Sequence, residues 1–234
     1  MDTASLEKLN HFRLARVPVA LVTDIQSGIS IVVSDKTSVH GDLGEAIAAA
    51  LHSGKSGNVT IEDITYFINV YLPRPRILII GAVHISQALL PMAKLAGFDV
   101  TIIDPRTAFA TAERFANADL IADWPEDVLQ IRPLDPHTAL VALTHDPKID
   151  DFPLTEALRS RCFYVGALGS RKSHQARLQR LQDQGIDEAQ LALIHGPIGL
   201  NIGAASPAEI AVSILAEIIS TMRSGARVRS LSSG

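Results

Sequence analysis

The spacing of apolar and polar positions changes once along this chain. In the first third, apolar residues come in short β-branched runs, Val17-Pro18-Val19-Ala20-Leu21-Val22 and Ile29-Ser30-Ile31-Val32-Val33, separated by Gln26-Ser27-Gly28. Two such runs around a glycine-containing turn predict a hairpin. Residues 46–51 read as a short helix that begins near Gly44-Glu45 and stops at Ser53-Gly54, and residues 66–72 read as a further strand. Residues 1–72 are therefore expected to form a small α+β module. Pro73-Arg74-Pro75 follows; two prolines in three residues remove backbone donors and disfavour helix, which predicts a hinge.

Beyond the hinge, strand and helix alternate. Ile77-Leu78-Ile79-Ile80 is a continuous apolar strand ended by Gly81, followed by a helix over about residues 86–96 with Gly97 as its stop. Residues 100–103 form the next strand, ending at Asp104-Pro105, and further strands are expected at residues 120–121, 139–143 and 163–165. The last helix starts at Pro207, capped by Ser206, and carries an apolar stripe of Ile210, Ala211, Ile214, Leu215, Ile218, Ile219 and Met222. Short apolar strands alternating with helices imply a parallel sheet covered on both faces. The fold class is α/β, with a Rossmann-like domain over residues 73–234.

Composition narrows the function classes. Of 234 residues, 47% are hydrophobic and 20% charged, enough to bury a core and too apolar for global disorder. A net charge of −4 gives no basic excess to neutralise phosphates, so no nucleic-acid partner is expected. The densest basic patch, Arg171, Lys172, Arg177 and Arg180, reads as a solvated helix face. Cys162 is the only cysteine, which rules out an internal disulfide and a thiolate metal cluster. It reads as a small buried residue. No leader-like apolar block and no run of about 20 apolar residues is present, so the expectation is a cytoplasmic protein without a membrane span.

Four turns could carry chemistry, each placed just after a strand. The first, Gly81-Ala82-Val83-His84-Ile85-Ser86, opens a helix, and Asp104 ends the next strand, as in a dinucleotide fold where the acidic residue takes ribose hydroxyls. Val83 and Ser86 stand where that pattern has glycines, and a branched side chain at Val83 obstructs a pyrophosphate. The second, Gly166-Ala167-Leu168-Gly169-Ser170-Arg171-Lys172, combines glycines, a helix-start serine and two cations in the first turn of a helix. Cations oppose the dipole there, so their placement suggests an anion; a surface ion pair is the plainer account. The third is Thr144-His145-Asp146-Pro147, where His145 and Asp146 could either meet a ligand or satisfy loop backbone. The fourth, His195-Gly196-Pro197-Ile198-Gly199-Leu200-Asn201-Ile202-Gly203, specifies a fixed irregular backbone, with the Asn201 amide as a possible donor. No nucleophile elbow, Walker loop or His-Glu-x-x-His pair is present.

Taken in order, several segments resemble the xanthine dehydrogenase accessory protein family, XdhC/CoxI. They are Pro75-Arg76-Ile77-Leu78-Ile79-Ile80-Gly81-Ala82, Asp104-Pro105-Arg106, Glu113-Arg114-Phe115, Leu143-Thr144-His145-Asp146-Pro147-Lys148-Ile149-Asp150, Tyr164-Val165-Gly166-Ala167-Leu168-Gly169-Ser170-Arg171, Pro197-Ile198-Gly199-Leu200 and Pro207-Ala208-Glu209-Ile210-Ala211. The resemblance implies a maturation factor without turnover of its own. Such a factor binds molybdenum cofactor (molybdopterin), protects it during sulfuration and passes it to a molybdenum hydroxylase apoenzyme of xanthine dehydrogenase or CO dehydrogenase type. The cofactor is anionic, so the residues expected to bind it are Gly81, His84, Asp104, Arg106, His145, Asp146, Gly166, Gly169, Ser170, Arg171 and Asn201. A cysteine desulfurase is a further implied partner. A homodimer through the N-terminal module or the last helix is compatible with the pattern. The sequence departs from the family at Val83, at Asn201 (usually aspartate), and near Ser38-Val39-His40-Gly41-Asp42-Leu43-Gly44-Glu45, where family members carry a Gly/Ser-rich loop ending in cysteine. The alternatives are an NAD(P)-binding oxidoreductase, from the Gly81 and Asp104 context, and a non-binding scaffold for hydroxylase maturation.

Overall fold

The computed structural model describes residues 2–35, 37 and 39–231; Ser38 and the last residues of the Ser/Gly tail lie outside the described residues. The chain divides into two compact units, one of residues up to Pro73 together with the chain from Ala226, the other Arg74–Gly225.

In the first unit, α1 (Thr3–Leu14), β1 (Val19–Asp24), β2 (Ser30–Ser34), α2 (Gly41–Ser53), β3 (Gly57–Ile61) and β4 (Ile64–Tyr71) follow one another. The strands make an antiparallel sheet in the order β2-β1-β4-β3. Alternation along β1 sends Ala20 and Val22 into a cluster with Ile47 of α2, and Val19 into a second cluster with Leu9 of α1. The hairpin of β1 with β2 and the strand ending near Tyr71 follow the expected pattern. Helix α2 starts earlier than expected, at Gly41, and ends at Gly54 in the left-handed conformation. Strand β3 and helix α1 are additions to the sequence reading.

The second unit contains β5 (Arg76–Ile80), α3 (His84–Leu95), β6 (Asp99–Ile103), β7 (Asp119–Ile121), α4 (Pro125–Ile131), β8 (Thr138–Ala142), α5 (Pro147–Arg159), β9 (Tyr164–Ala167), α6 (Arg171–Asp183), α7 (Glu188–Leu191), β10 (Ile194–His195) and, as far as Gly225, α8 (Pro207–Leu231). All six strands are parallel, in the order β10-β9-β8-β5-β6-β7. The chain enters at the centre, winds outward through β6 and β7, then crosses to β8 and winds the other way, which is the Rossmann order. The period of two in β5 splits the core. Ile77 and Ile79 join α3 and the Ala211, Ile214 and Ile218 stripe of α8 on one face, while Leu78 and Ile80 join Leu154 of α5 and Leu181 of α6 on the other. Burying an isoleucine such as Ile79 completely contributes about 1.5–3 kcal/mol. The start of α8 is a reciprocal capping box: Glu209 N–H donates to Ser206 Oγ at 3.2 Å, and Ser206 N–H donates to Glu209 Oε2 at 3.0 Å. Among the described residues, no helix is long and apolar enough to cross a membrane.

Candidate functional site: the carboxyl rim of the parallel sheet

Strand register assembles the candidate turns on one rim. Ile80 lies opposite Ile103 of β6 and Ala142 of β8, Ala142 lies opposite Ala167 of β9, and Gly166 lies opposite His195 of β10. The chain therefore leaves the carboxyl ends of five strands at nearly one level, at Gly81, Asp104, Leu143, Leu168 and Gly196. The winding reverses between β5 and β8, and in open α/β sheets ligands lie in the crevice beyond such a reversal.

The start of the turn after β5 is tied to the protein itself. Gly81 has φ +114°, a conformation that suits glycine, and a Cβ there would come within 2.9 Å of Thr144 Cγ2. Ala82 N–H donates to Asp104 Oδ2 at 2.8 Å, and Arg114 donates to the carbonyls of Ala82 and Phe109 at 3.0 and 2.9 Å. Ser86, in place of a glycine, is fully buried and satisfied, donating to Gly81 O at 2.5 Å. His84 opens α3 and is exposed.

Asp104 lies beneath this turn. Its carboxylate is wholly buried and accepts from Ala82 N–H, from Arg106 N–H at 2.9 Å, and from Arg106 Nε and Nη2 at 2.9 and 2.7 Å. Burial alone would raise its pKa, but the hydrogen bonds from Arg106 and Ala82 outweigh that and hold it below the usual carboxylate range. Both oxygens accept from the chain itself, so Asp104 anchors the two turns to each other. Arg106 is drawn into the same anchor and stands over the Phe109 ring at 4.6 Å.

After β8, Thr144 Oγ1 donates to Asp150 Oδ1 at 2.7 Å and accepts from Asp146 N–H at 3.0 Å. Asp146 caps α5, its Oδ1 accepting from Lys148 N–H at 3.0 Å. His145, at φ +62°, is exposed on the rim. Burial pushes Asp150 up to about 6, against the Thr144 hydroxyl and the charge of Arg177.

The turn after β9 is built differently. Gly166 packs so tightly that a Cβ would meet Tyr164 Oη at 2.6 Å and Ile198 at 2.7 Å; Gly169 has φ +145°. Ser170 caps α6, accepting from Ser173 N–H at 3.2 Å. The amides of Arg171 and Lys172 have no partner within the helix, both side chains are exposed, and the positive end of the helix dipole sits behind them. Such an arrangement can hold an oxyanion. Arg177, read from the sequence as part of a solvated face, is instead only 4% exposed and donates to Leu168 O at 2.9 Å beneath this turn.

The loop after β10 is fastened to α8. Glu217 Oε2 accepts from Tyr164 Oη at 2.5 Å and from Gly199 N–H at 2.8 Å, His195 Nδ1 lies 3.2 Å from Glu217 Oε1, and Ser213 donates to Leu200 O at 2.6 Å. Asn201 is exposed just beyond these fastenings. Cys162 lies away from the rim, beside a cavity of about 820 Å³ that His195, Asp187 and Thr221 also line, and burial pushes its thiol up to about 12. Among the described residues no cluster of His, Cys, Asp and Glu could hold a metal ion.

A doubly wound parallel sheet with helices on both faces defines a Rossmann-like α/β protein. Residues 77–218 match the family described as the XdhC Rossmann domain, and the chain belongs to that family. It is 33% identical over 192 residues to the uncharacterized protein YqeB of Escherichia coli, covering 77% of this chain and 32% of that protein. It is 36% identical over 158 residues to a probable xanthine dehydrogenase subunit of Bacillus subtilis, covering 67% and 46%. It is 30% identical over 151 residues to the molybdenum cofactor insertion chaperone PaoD of Escherichia coli, covering 64% and 41%. The chain thus spans about a third to a half of the length of these curated relatives. A crystal structure described as a xanthine dehydrogenase from Bacillus halodurans shares the fold, with a TM-score of 0.64 and 24% identity over 94% of this chain and 64% of that one.

Proposed function

We propose that this protein binds molybdenum cofactor and assists its sulfuration and insertion into a molybdenum hydroxylase of xanthine dehydrogenase or CO dehydrogenase type, as a carrier without turnover of its own. Membership of the XdhC family and likeness to a cofactor insertion chaperone support the reading. The observation that carries it is the turn after β9, where helix-start amides and the exposed cations Arg171 and Lys172 stand on the rim that the exposed His145 also borders. These are the donors that a phosphate-bearing anionic ligand needs, and they would hold the phosphate end of the cofactor.

Gly166, Gly169 and Ser170 shape and cap the turn, Arg171 and His145 supply positive or polar contacts, and Gly81 and the exposed Asn201 border the same rim. When bound, the cofactor supplies the redox chemistry of its eventual client; the residues of this chain bind and orient it. A molybdenum-bound sulfur would come from outside, from a partner such as a cysteine desulfurase, because the one thiol of the chain lies away from the rim and is held protonated.

Mass spectrometry of small molecules co-purifying with the protein from a molybdate-fed host tests the proposal. Molybdopterin or its nucleotide form in the eluate is the expected result. Recovery of NAD(H) or NADP(H) instead, with saturable binding in a calorimetric titration, would replace it with the oxidoreductase reading. Capture of a hydroxylase from cells lacking the cofactor pathway, with no small molecule retained, would replace it with the scaffold.

A further inference from the structure

Two buried charged side chains beneath the rim have atoms without hydrogen-bond partners. Arg177, in the second turn of α6, donates from Nη2 to Leu168 O at 2.9 Å, while its Nε and Nη1 have no partner. Asp150, in the first turn of α5, is 1% exposed; Oδ1 accepts from Thr144, and Oδ2 has no partner. Neighbouring buried carboxylates are closed by contact. Asp104 is paired with Arg106 at 2.7 Å, and Asp151 with Arg180 at 2.7 and 3.0 Å. Arg177 and Asp150 act on each other only through charge, with no hydrogen bond between them. Unpartnered buried polar atoms are unfavourable, so what the two groups hold in place matters.

Each group holds one rim turn. Asp150 fixes Thr144, whose hydroxyl in turn accepts from Asp146 N–H and whose methyl group closes against Gly81. Arg177 fixes Leu168 O, and its Nη2 lies 3.9 Å from where a Cβ on Gly169 would sit. One turn earlier on α6, His174 packs against Gly196 so closely that a Cβ there would overlap its Nδ1. The inner face of α6 therefore touches the turn after β9 and the loop after β10, and reaches the turn after β8 through charge.

We propose that Arg177, coupled to Asp150, is the positioning residue of the anion rim, holding the 166–170 turn in fixed relation to the 144–146 turn so that the two receive one phosphate-like group. The ligand part of this inference rests on reading the rim as an anion site. Arg177 is too buried to touch a ligand. It acts by fixing Leu168 O and by setting a positive charge in a low-dielectric layer under the amides, where it is screened far less than Arg171 at the surface.

Hydrogen exchange by mass spectrometry on the full chain, with and without inorganic phosphate, tests it. In Arg177→Met, amides of residues 144–146 and 168–170 should exchange about tenfold faster, while strand β8 stays protected. Arg177→Lys keeps a donor and the charge and should stay within about threefold of wild type. Asp150→Asn should loosen residues 168–170, the turn it does not touch. In the wild type, phosphate should slow exchange at residues 168–170, and Arg177→Met should abolish that protection. If residues 144–146 are unchanged in Arg177→Met, or if lysine is no better than methionine, the brace is wrong. If the turns are coupled as stated but phosphate protects nothing in the wild type, the brace stands and the anion reading of the rim falls.

Discussion

The turns after β5 and β9 begin alike, each a glycine leaving a buried parallel strand for a helix, and they end as opposites. After β5 the Ala82 amide is taken by Asp104, the Ala82 carbonyl by Arg114 and the Gly81 carbonyl by Ser86, and the first turn of α3 carries no arginine or lysine. After β9 the helix-start amides and two cations are left to the solvent side, with one buried guanidinium behind them. The Rossmann order alone nominates the first turn for a ligand. The exposed cations Arg171 and Lys172 nominate the second. A fold offers several equivalent strand ends, and the side chains placed at each set which of them suits an anion.

The strongest way to break this contrast is to remove the anchor of the closed turn. Asp104→Ala leaves the Ala82 and Arg106 amides and the Arg106 guanidinium without their acceptor, and breaking a buried pair in this way costs about 3–5 kcal/mol. A fall in melting temperature of about 10 °C is expected for a chain of this size. A drop of only a degree or two in a thermal melt would mean that the turn after β5 is not held by Asp104. Next in size is Gly81→Ala. Its φ of +114° and the 2.9 Å approach to Thr144 Cγ2 together predict a loss of about 2–3 kcal/mol, read as a lower urea midpoint with an unchanged slope.

Rim carboxylates should also separate by pH. Asp150 sits at about 6 instead of 3.8, so the folded state holds its proton more tightly than the unfolded chain does. Its contribution is complete below about pH 4 and is lost as the pH rises through about 6, a change of about 2–3 kcal/mol. Asp104, held below its ordinary value, contributes in the opposite sense: its stabilisation is present above 3.8 and is lost as the pH falls further. Between about pH 4 and 6, the difference in stability between wild type and Asp150→Asn should therefore shift in favour of the variant as pH rises. A flat difference in urea titrations across that window would show that Asp150 titrates normally.

The sheet was legible because buried parallel strands are written as unbroken apolar runs, and 77–80, 100–103 and 139–143 carry that mark. Strand β3 was not, since Gly57-Asn58-Val59-Thr60-Ile61 is a half-exposed edge whose turn, Glu62-Asp63, lacks the usual glycine although both residues adopt positive φ. Helix α1 escaped notice because only Leu9 in it is buried. At the site, sequence position found the turns but not the state of their donors. Asp104 stands where a ribose acceptor would, and nothing in its spacing reveals that Arg106, two residues on, takes both oxygens. Arg177 lies on a polar helix, and whether an arginine there faces water or the core depends on how α5 packs against α6, which is a property of the tertiary structure.

The smallest expected change in stability carries the sharpest functional test. Arg171 is exposed at the first position of α6, where a cation opposes the helix dipole, so Arg171→Ala should alter stability by no more than about 0.5 kcal/mol in either direction. Retention of molybdopterin after purification from a molybdate-fed host should nonetheless fall severalfold, and the loss should shrink when the wild type is washed at high salt, because exposed charges are screened. His84, equally exposed but at the start of α3 on the closed turn, is the matched control. If His84→Ala releases the ligand and Arg171→Ala does not, the open and closed turns have been assigned the wrong way round.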